Sequence, residues 1–488
     1  MSQQTTIIGQ EVKTYRQLLA GKMSDTAQHF EVLNPCSEEV IAMAPRCSTE
    51  EAHLAVREAK AAQTSWGLLP AVERAEYLKK MAQVIRDNRI MLAETLAAEQ
   101  AKVLGLAQVE IDVTAVYYDY YAGLARSYEG EIIQSDRPGE QMMLHKLPIG
   151  IAVGICPWNF PFFVMARKIA PSLLTGNACI VKLSRETPMV CLEFAQLIEN
   201  IGLPKGILSI LSGFGSEVGQ VLCEHPDVGI ISLTGSVGAG QQVMEAASKN
   251  ITKVSLELGG KAPAIVCKDA DLDLAVKAII DSRVIFSGQV CNCAERVYVE
   301  EEVYEAFMAK LVPAMKAVRV GDALSDEKAD MSAQISKKQL ENIDAMVKRA
   351  VEQGGEILCG GQPHPDFDKG YYYQPTLIAN VAQDSEIIQE ETFGPVLPVM
   401  KVSSFDQALD FANDSEYGLT SSIFTNDINK VLRATKELRF GETYVNREHF
   451  EAIQGFHSGF RKSGIGGADG KHGLEEYLQT KVMYIQQN

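Results

Sequence analysis

Between residues 151 and 247, short apolar runs alternate with helix-spaced segments in a regular order. The runs 151–156, 178–183, 208–211 and 229–233 are almost free of charged residues, as expected of strands buried on both faces. The stretches near 163–174, 188–201, 216–223 and 239–247 space their apolar residues as helices do. Strands alternating with helices form a parallel sheet covered on both sides, which predicts a doubly wound α/β unit. Ligands of such sheets bind beyond the carboxyl ends of the strands. A second α/β block is expected over 262–459, entered by the helix-spaced segment 271–285. A chain of 488 residues exceeds one core, so two or three domains are expected. Ahead of the first sheet, Ser48-Thr49-Glu50-Glu51 offers a capping box, followed at helical spacing by Ala52, Ala55, Val56, Ala59, Ala62 and Trp66.

Several function classes are disfavoured by composition. A net charge of −17 with no basic run argues against nucleic acid. The longest apolar runs, such as 149–156, are far shorter than the roughly 20 residues of a membrane span. The polar start Met1-Ser2-Gln3-Gln4 does not read as a signal peptide. Ten cysteines scattered over the chain do not make a disulfide framework, so a reduced, cytoplasmic protein is expected. Cys291-x-Cys293 is too tight and too isolated for zinc, and no metal site is expected.

Chemistry concentrates where segment 271–285 gives way to the alternating run Arg296-Val297-Tyr298-Val299. The junction reads Phe286-Ser287-Gly288-Gln289-Val290-Cys291-Asn292-Cys293. A single cysteine is ordinarily a small buried hydrophobe. Here it accompanies Leu256-Glu257-Leu258-Gly259-Gly260-Lys261 and Pro157-Trp158-Asn159-Phe160-Pro161. In order and spacing these motifs resemble the aldehyde dehydrogenase superfamily, and the resemblance extends from about Val32 to Tyr484.

The resemblance implies that Cys291 is the nucleophile, since a thiolate converts a planar carbonyl into a tetrahedral adduct from which hydride leaves readily. Asn159 would hold the oxyanion together with the Cys291 backbone N–H. Glu257 would be the base for the water that cleaves the thioester; relatives that pass the acyl group to coenzyme A lack a Glu there. Cys293 is expected to be a bystander. Residues 1–128 and 148–261 would form the cofactor-binding domain and 262–459 the catalytic domain. Residues 129–147 and 470–488 would be an arm that assembles a dimer or tetramer.

For an NAD or NADP cofactor, Gly235, Ser236 and Gly240 follow a strand and open a helix, a natural pyrophosphate site. The resemblance adds Lys182 for the adenosine ribose, Gly215 and Gly219 on the adenine side, and Glu391 and Phe393 for the nicotinamide ribose and ring. It places Ile155, Pro157, Trp158, Ser184 and Leu258 along the same cleft. One position departs: NAD-preferring relatives usually carry Glu three residues after the lysine, where this chain has Arg185. A guanidinium attracts a 2′-phosphate, which tips the expectation toward NADP unless Arg185 points to solvent or Glu186 takes the usual role.

For the substrate, Arg167 lies about two helical turns beyond Asn159 and can share its face. The segment 446–457 departs from the superfamily's usual pattern and resembles the subgroup acting on small 2-hydroxyaldehydes. Arg167, Asn292, Glu451 and His457 are therefore expected to read a 2-hydroxyl or the nascent carboxylate, with Val113 and Tyr117 on the tunnel wall. Arg167 could instead be a structural ion pair and His457 a core residue. The implied reaction is oxidation of lactaldehyde or glycolaldehyde to the 2-hydroxy acid. A semialdehyde dehydrogenase and an inactive nucleotide-binding scaffold are the alternatives.

Overall fold

The structure is a computed structural model that describes residues 5–7 and 10–487. Its largest sheet has eight strands. They run in the order Gly464–Ile465, Lys253–Glu257, Ile230–Thr234, Ile151–Ile155, Ala178–Lys182, Leu208–Leu211, Gln17–Leu19 and Lys22–Ser24. The strands from Lys253–Glu257 to Leu208–Leu211 are parallel, as the unbroken apolar runs require, and antiparallel strands close both edges. The chain leaves Ile151–Ile155 toward one edge and returns to its other side at Ile230–Thr234. The order therefore reverses between Ile155 and Thr234, which opens a crevice beyond those two carboxyl ends.

Helix Pro161–Leu174 packs on this sheet so closely that a Cβ on Gly154 would lie 2.6 Å from the Lys168 Cβ. The expected capping box forms at the start of Thr49–Leu68, where Ser48 and Glu51 exchange hydrogen bonds. The helix expected over 216–223 is different: Gly215–Gly219 winds as one π-helical turn before the short α-helix Gln220–Cys223.

The second sheet has seven strands, in the order Glu356–Cys359, Thr376–Ala379, Val396–Val402, Ala294–Glu300, Ala262–Val266, Thr420–Phe424 and Glu442–Val445. All but the first are parallel to their neighbours. Cys291 precedes Ala294–Glu300, so the loops at the amino ends of this sheet meet the carboxyl ends of the first.

A third sheet of three strands joins Glu131–Gln134, Glu140–Pro148 and Leu478–Gln486, all antiparallel. Residues Gly470–Glu475 form a helix on the body of the molecule, with Leu474 in the main core, so the paired part of the tail begins at Leu478. Among the described residues, no helix is long and apolar enough to cross a membrane.

Candidate active site

Three residues in succession, Phe286 (φ 44°), Ser287 (φ 55°) and Gly288 (φ 75°), adopt the left-handed conformation just before Cys291. Two of them carry side chains that disfavour it, so the surroundings must hold the turn in place. Arg283, fully buried, donates to the carbonyls of Gly288 and Ala294 and pairs with Glu295 at 2.7 Å. Ser287 Oγ donates to Ser332 O at 2.7 Å, and Gln289 Oε1 accepts from Ile335 N at 2.9 Å. A Cβ on Gly288 would lie 2.2 Å from the Gly394 carbonyl oxygen, so no other residue fits there. Cys293 faces away; it is buried, its thiol meets Val290 O at 2.8 Å, and burial pushes that thiol up to about 12.

Asn159 sits where Pro161 opens the helix Pro161–Leu174. Glu110, buried and paired with Lys102, accepts the backbone N–H groups of Phe162 at 3.1 Å and Phe163 at 3.2 Å. It satisfies the unpaired donors of the first helical turn. Lys102 also donates to Asn159 O at 2.7 Å. So fixed, Asn159 Nδ2 donates to Gln289 O at 3.1 Å, two residues from Cys291 in sequence. The amide's second hydrogen remains available to a reacting oxygen.

Glu257 ends its strand and is 2% exposed. Its Oε2 accepts from Thr234 Oγ1 at 3.0 Å, while Oε1 has no hydrogen-bond partner among the described residues. Burial opposes its charge, but Lys168 Nζ at 3.7 Å and Arg167 Nη1 at 3.8 Å outweigh burial and hold the carboxyl below its usual range. The group is a carboxylate at neutral pH with one free oxygen, which is what a base requires. Close approach explains the two glycines that follow: a Cβ on Gly260 would lie 2.6 Å from Cys291 O, and one on Gly259 2.3 Å from Glu391 Oε2.

Two cavities meet at Cys291, Asn159 and Thr234. The first, about 730 Å³, occupies the crevice at the strand reversal and suits a dinucleotide. Ile155, Pro157, Trp158, Lys182, Ser184, Arg185 and Gly215 line it. So do Gly235, Ser236, Leu258, Glu391 and Phe393. Gly219 and Gly240 do not: Gly219 is buried within the π-helical turn, and a Cβ on Gly240 would lie 2.7 Å from the Leu258 side chain, so Gly240 serves packing. Ser236 caps the helix Val237–Ser248, whose amino end opens on the cavity. Glu391, partly buried beside Glu295, is pushed up to about 8 by desolvation and that neighbouring carboxylate, and accepts from Gly260 N at 2.9 Å. A protonated carboxyl there can donate to a ribose hydroxyl as well as accept from one. These donors and the cavity's size fit a nicotinamide dinucleotide.

The second cavity, about 360 Å³, holds the other group of expected residues: Arg167, Asn292, Glu451 and His457. Arg167 donates from Nε to Asp469 Oδ1 at 3.0 Å and from Nη2 to Asp469 Oδ2 and, at 3.0 Å, to Glu451 Oε1. It is thus both an ion pair and a cavity residue, with Nη1 still free to donate. Asn292 Nδ2 donates to Glu451 Oε2 at 2.6 Å. His457 is buried, but not as an inert core residue. Its Nδ1 lies 2.8 Å from Glu442 Oε1, and it lines the cavity together with Cys291. Burial disfavours a charged ring, yet Glu442 and the thiol prevail and raise its pKa well above the ordinary histidine value. Val113 lines the cavity as expected, but Tyr117 is fully buried behind Phe163, with ring centroids 5.3 Å apart. Asp469, Glu442, Thr234 and Lys168 were not anticipated. An acid in the glycine-rich run Gly466-Gly467-Ala468-Asp469-Gly470 was the one sequence signal that could have marked any of them.

The aldehyde dehydrogenase family model matches residues 22–483. The chain belongs to the aldehyde dehydrogenase family. It is therefore an oxidoreductase that uses a nicotinamide dinucleotide. It is 53% identical to the lactaldehyde dehydrogenase of Escherichia coli K12, covering 94% of this chain and 95% of that one. The crystal structure of the Escherichia coli enzyme superposes with a TM-score of 0.96 at 51% identity, over 98% of this chain and 100% of that one. A D-glyceraldehyde dehydrogenase (NADP(+)) of Picrophilus torridus is 38% identical over 95% of this chain and 94% of its own. A betaine aldehyde dehydrogenase of Staphylococcus aureus in complex with NAD+ has a TM-score of 0.95 at 33% identity, over 97% of this chain and 95% of that one.

Proposed function

We propose that this aldehyde dehydrogenase oxidises small 2-hydroxyaldehydes, lactaldehyde and glycolaldehyde, to 2-hydroxy acids. The observation that carries the reading is the polar cluster Arg167, Asn292, Glu451 and His457 beside Cys291, in a cavity whose other walls are mostly apolar. A site that hydrogen-bonds a hydroxyl rejects analogues that lack it, because its buried donors and acceptors would be left unpaired. The name of the Escherichia coli relative agrees with this substrate. A semialdehyde fits less well. Arg167 already spends Nε and Nη2 on Asp469 and Glu451, so it offers a distal carboxylate one nitrogen rather than a fork.

In this reading Cys291 Sγ adds to the carbonyl carbon, and the oxyanion lies between Asn159 Nδ2 and the Cys291 N–H. Bound nicotinamide supplies the hydride acceptor. Lys182, Ser236, Glu391 and Phe393 would hold the dinucleotide. Glu257 then takes a proton from water, which cleaves the Cys291 thioester and releases the acid. Arg185 extends the adenosine end of the first cavity; it is paired with Glu186 at 3.0 Å and lies 5.5 Å from the Phe214 ring centroid. We infer that NADP+ is used, its 2′-phosphate displacing Glu186 from Arg185. The ten free cysteines fit a reducing, cytoplasmic setting. The three-stranded sheet, with Ile132 80% and Tyr484 62% exposed, fits a face covered by a second copy of the chain.

Initial rates with L-lactaldehyde, propanal and succinic semialdehyde test the substrate reading. Lactaldehyde should exceed propanal in kcat/KM by at least about tenfold, the worth of one lost hydrogen bond in a buried site. Equal rates with propanal, or a preference for the semialdehyde, would overturn it. Replacing Arg185 with Ala should lower kcat/KM for NADP+ by about tenfold and leave NAD+ little changed; a parallel loss for both would remove Arg185 from 2′-phosphate recognition.

A further inference from the structure

The second cavity is far larger than lactaldehyde needs. A volume of about 360 Å³ lies in the range that takes a drug-sized ligand, whereas lactaldehyde has five non-hydrogen atoms. Its two ends also differ in chemistry. The polar cluster surrounds the space next to Cys291, and beyond it the wall is mostly apolar, interrupted by the exposed Arg447 and Gln454. Helix Leu104–Gly123 presents Leu106, Val109, Val113 and Val116 along one stripe, at the three- and four-residue spacing of a single helix face. Ile285 and Phe450 add further apolar surface to the cavity. At the mouth three of these side chains remain in water: Val109 is 42% exposed, Val116 48% and Phe450 43%. Single exposed apolar side chains need no explanation, but three around one opening form a patch that a ligand can cover.

We propose that the site prefers 2-hydroxyaldehydes carrying an unbranched alkyl tail of three to five carbons beyond the 2-hydroxyl carbon. The inference rests on the reading that the polar cluster holds the 2-hydroxyl. Given that anchor, the carbonyl is fixed at Cys291, and the remaining substituent on C2 has one direction open to it, along the apolar stripe. Each methylene laid on the stripe leaves water. Because a tail is held equally before and during reaction, the gain belongs in KM rather than kcat.

The test is a kcat/KM series of glycolaldehyde, lactaldehyde, 2-hydroxybutanal and 2-hydroxyhexanal, with hexanal as the control lacking the hydroxyl. Full burial of a methylene is worth up to about fourfold. With partly exposed walls, 2-hydroxyhexanal should exceed lactaldehyde by about tenfold, carried by KM. The Val109→Asn, Val116→Asn double variant changes two exposed positions and should bring that ratio toward one. In calorimetry on the wild-type protein, 2-hydroxyhexanoate should bind tighter than lactate. A kcat/KM for 2-hydroxyhexanal no better than that of lactaldehyde would overturn the proposal, as would equal affinity for the two acids. The underlying reading fails in a different way: hexanal would then match 2-hydroxyhexanal, and propanal would match lactaldehyde.

Discussion

Arg167 shows how one side chain can be both structural and selective. Asp469 takes the Nε and Nη2 donors of one guanidinium edge, Glu451 shares Nη2, and Nη1 is left toward Glu257 and the cavity. Asp469 reaches this place at φ 72° and ψ 159°, a strained region outside the left-handed helix; Asn is isosteric with Asp and asks nothing new of that backbone. Asp469→Asn should therefore fold, loosen Arg167, and lower kcat/KM for lactaldehyde by about tenfold while propanal changes little, the worth of one charge-assisted hydrogen bond; parallel losses for both substrates would make Asp469 a packing residue. Glu442 acts on His457 in a similar way. It raises the imidazole pKa, so the charge persists through the ordinary histidine range and is lost only as pH rises through the raised value. In Glu442→Gln the opposing effect of burial dominates, and the charge should vanish at lower pH. The alkaline limb of kcat/KM for lactaldehyde should move down accordingly, and an unchanged profile would separate His457 from the rate. Cys291, Glu257 and Asn159 were legible because each sits in a local motif. Asp469 and Glu442 were not, because each gains its partner only when distant segments meet.

The helix, loop and strand around Cys291 were readable from periodicity, but the left-handed run from Phe286 to Gly288 was not, since Phe and Ser are not the residues that announce it. The turn is held by Arg283 from the end of the preceding helix and by Ser332 and Ile335, which arrive from elsewhere in the chain. Gly288→Ala is the sharpest probe of this element. It forces a side chain into both a left-handed conformation and the Gly394 carbonyl, and displaces the loop that carries the thiol. Turnover should fall by at least about a hundredfold, as for a reacting group misplaced by about 1 Å. Near-normal kcat with a folded protein would show that the turn does not set the position of Cys291. The expected helix at 216–223 gave way to a π-helical turn for a related reason: with glycines at both ends of Gly215–Gly219, no local propensity fixes the winding.

At the scale of the molecule, two parallel sheets face each other, carboxyl ends against amino ends, and the candidate reacting residues come from both. Glu257 and Asn159 belong to the first, Cys291 to the second. The alternation of strands and helices made this architecture legible, whereas the meeting of the two cavities at one thiol depends on packing between the two sheets' loops and leaves no periodic trace. The exposed arm adds a prediction at the same scale. Ile132→Glu with Tyr484→Glu should shift the protein to a smaller species in analytical ultracentrifugation, and an unchanged mass would place the subunit contact elsewhere. The most direct test of the mechanism is intact-mass and peptide analysis of Glu257→Gln mixed with lactaldehyde and the dinucleotide. Addition at Cys291 should proceed while cleavage stalls, leaving one lactoyl group per chain, on the peptide that carries Cys291. Unmodified protein with normal steady-state turnover, or an acyl group on any other residue, would contradict the account.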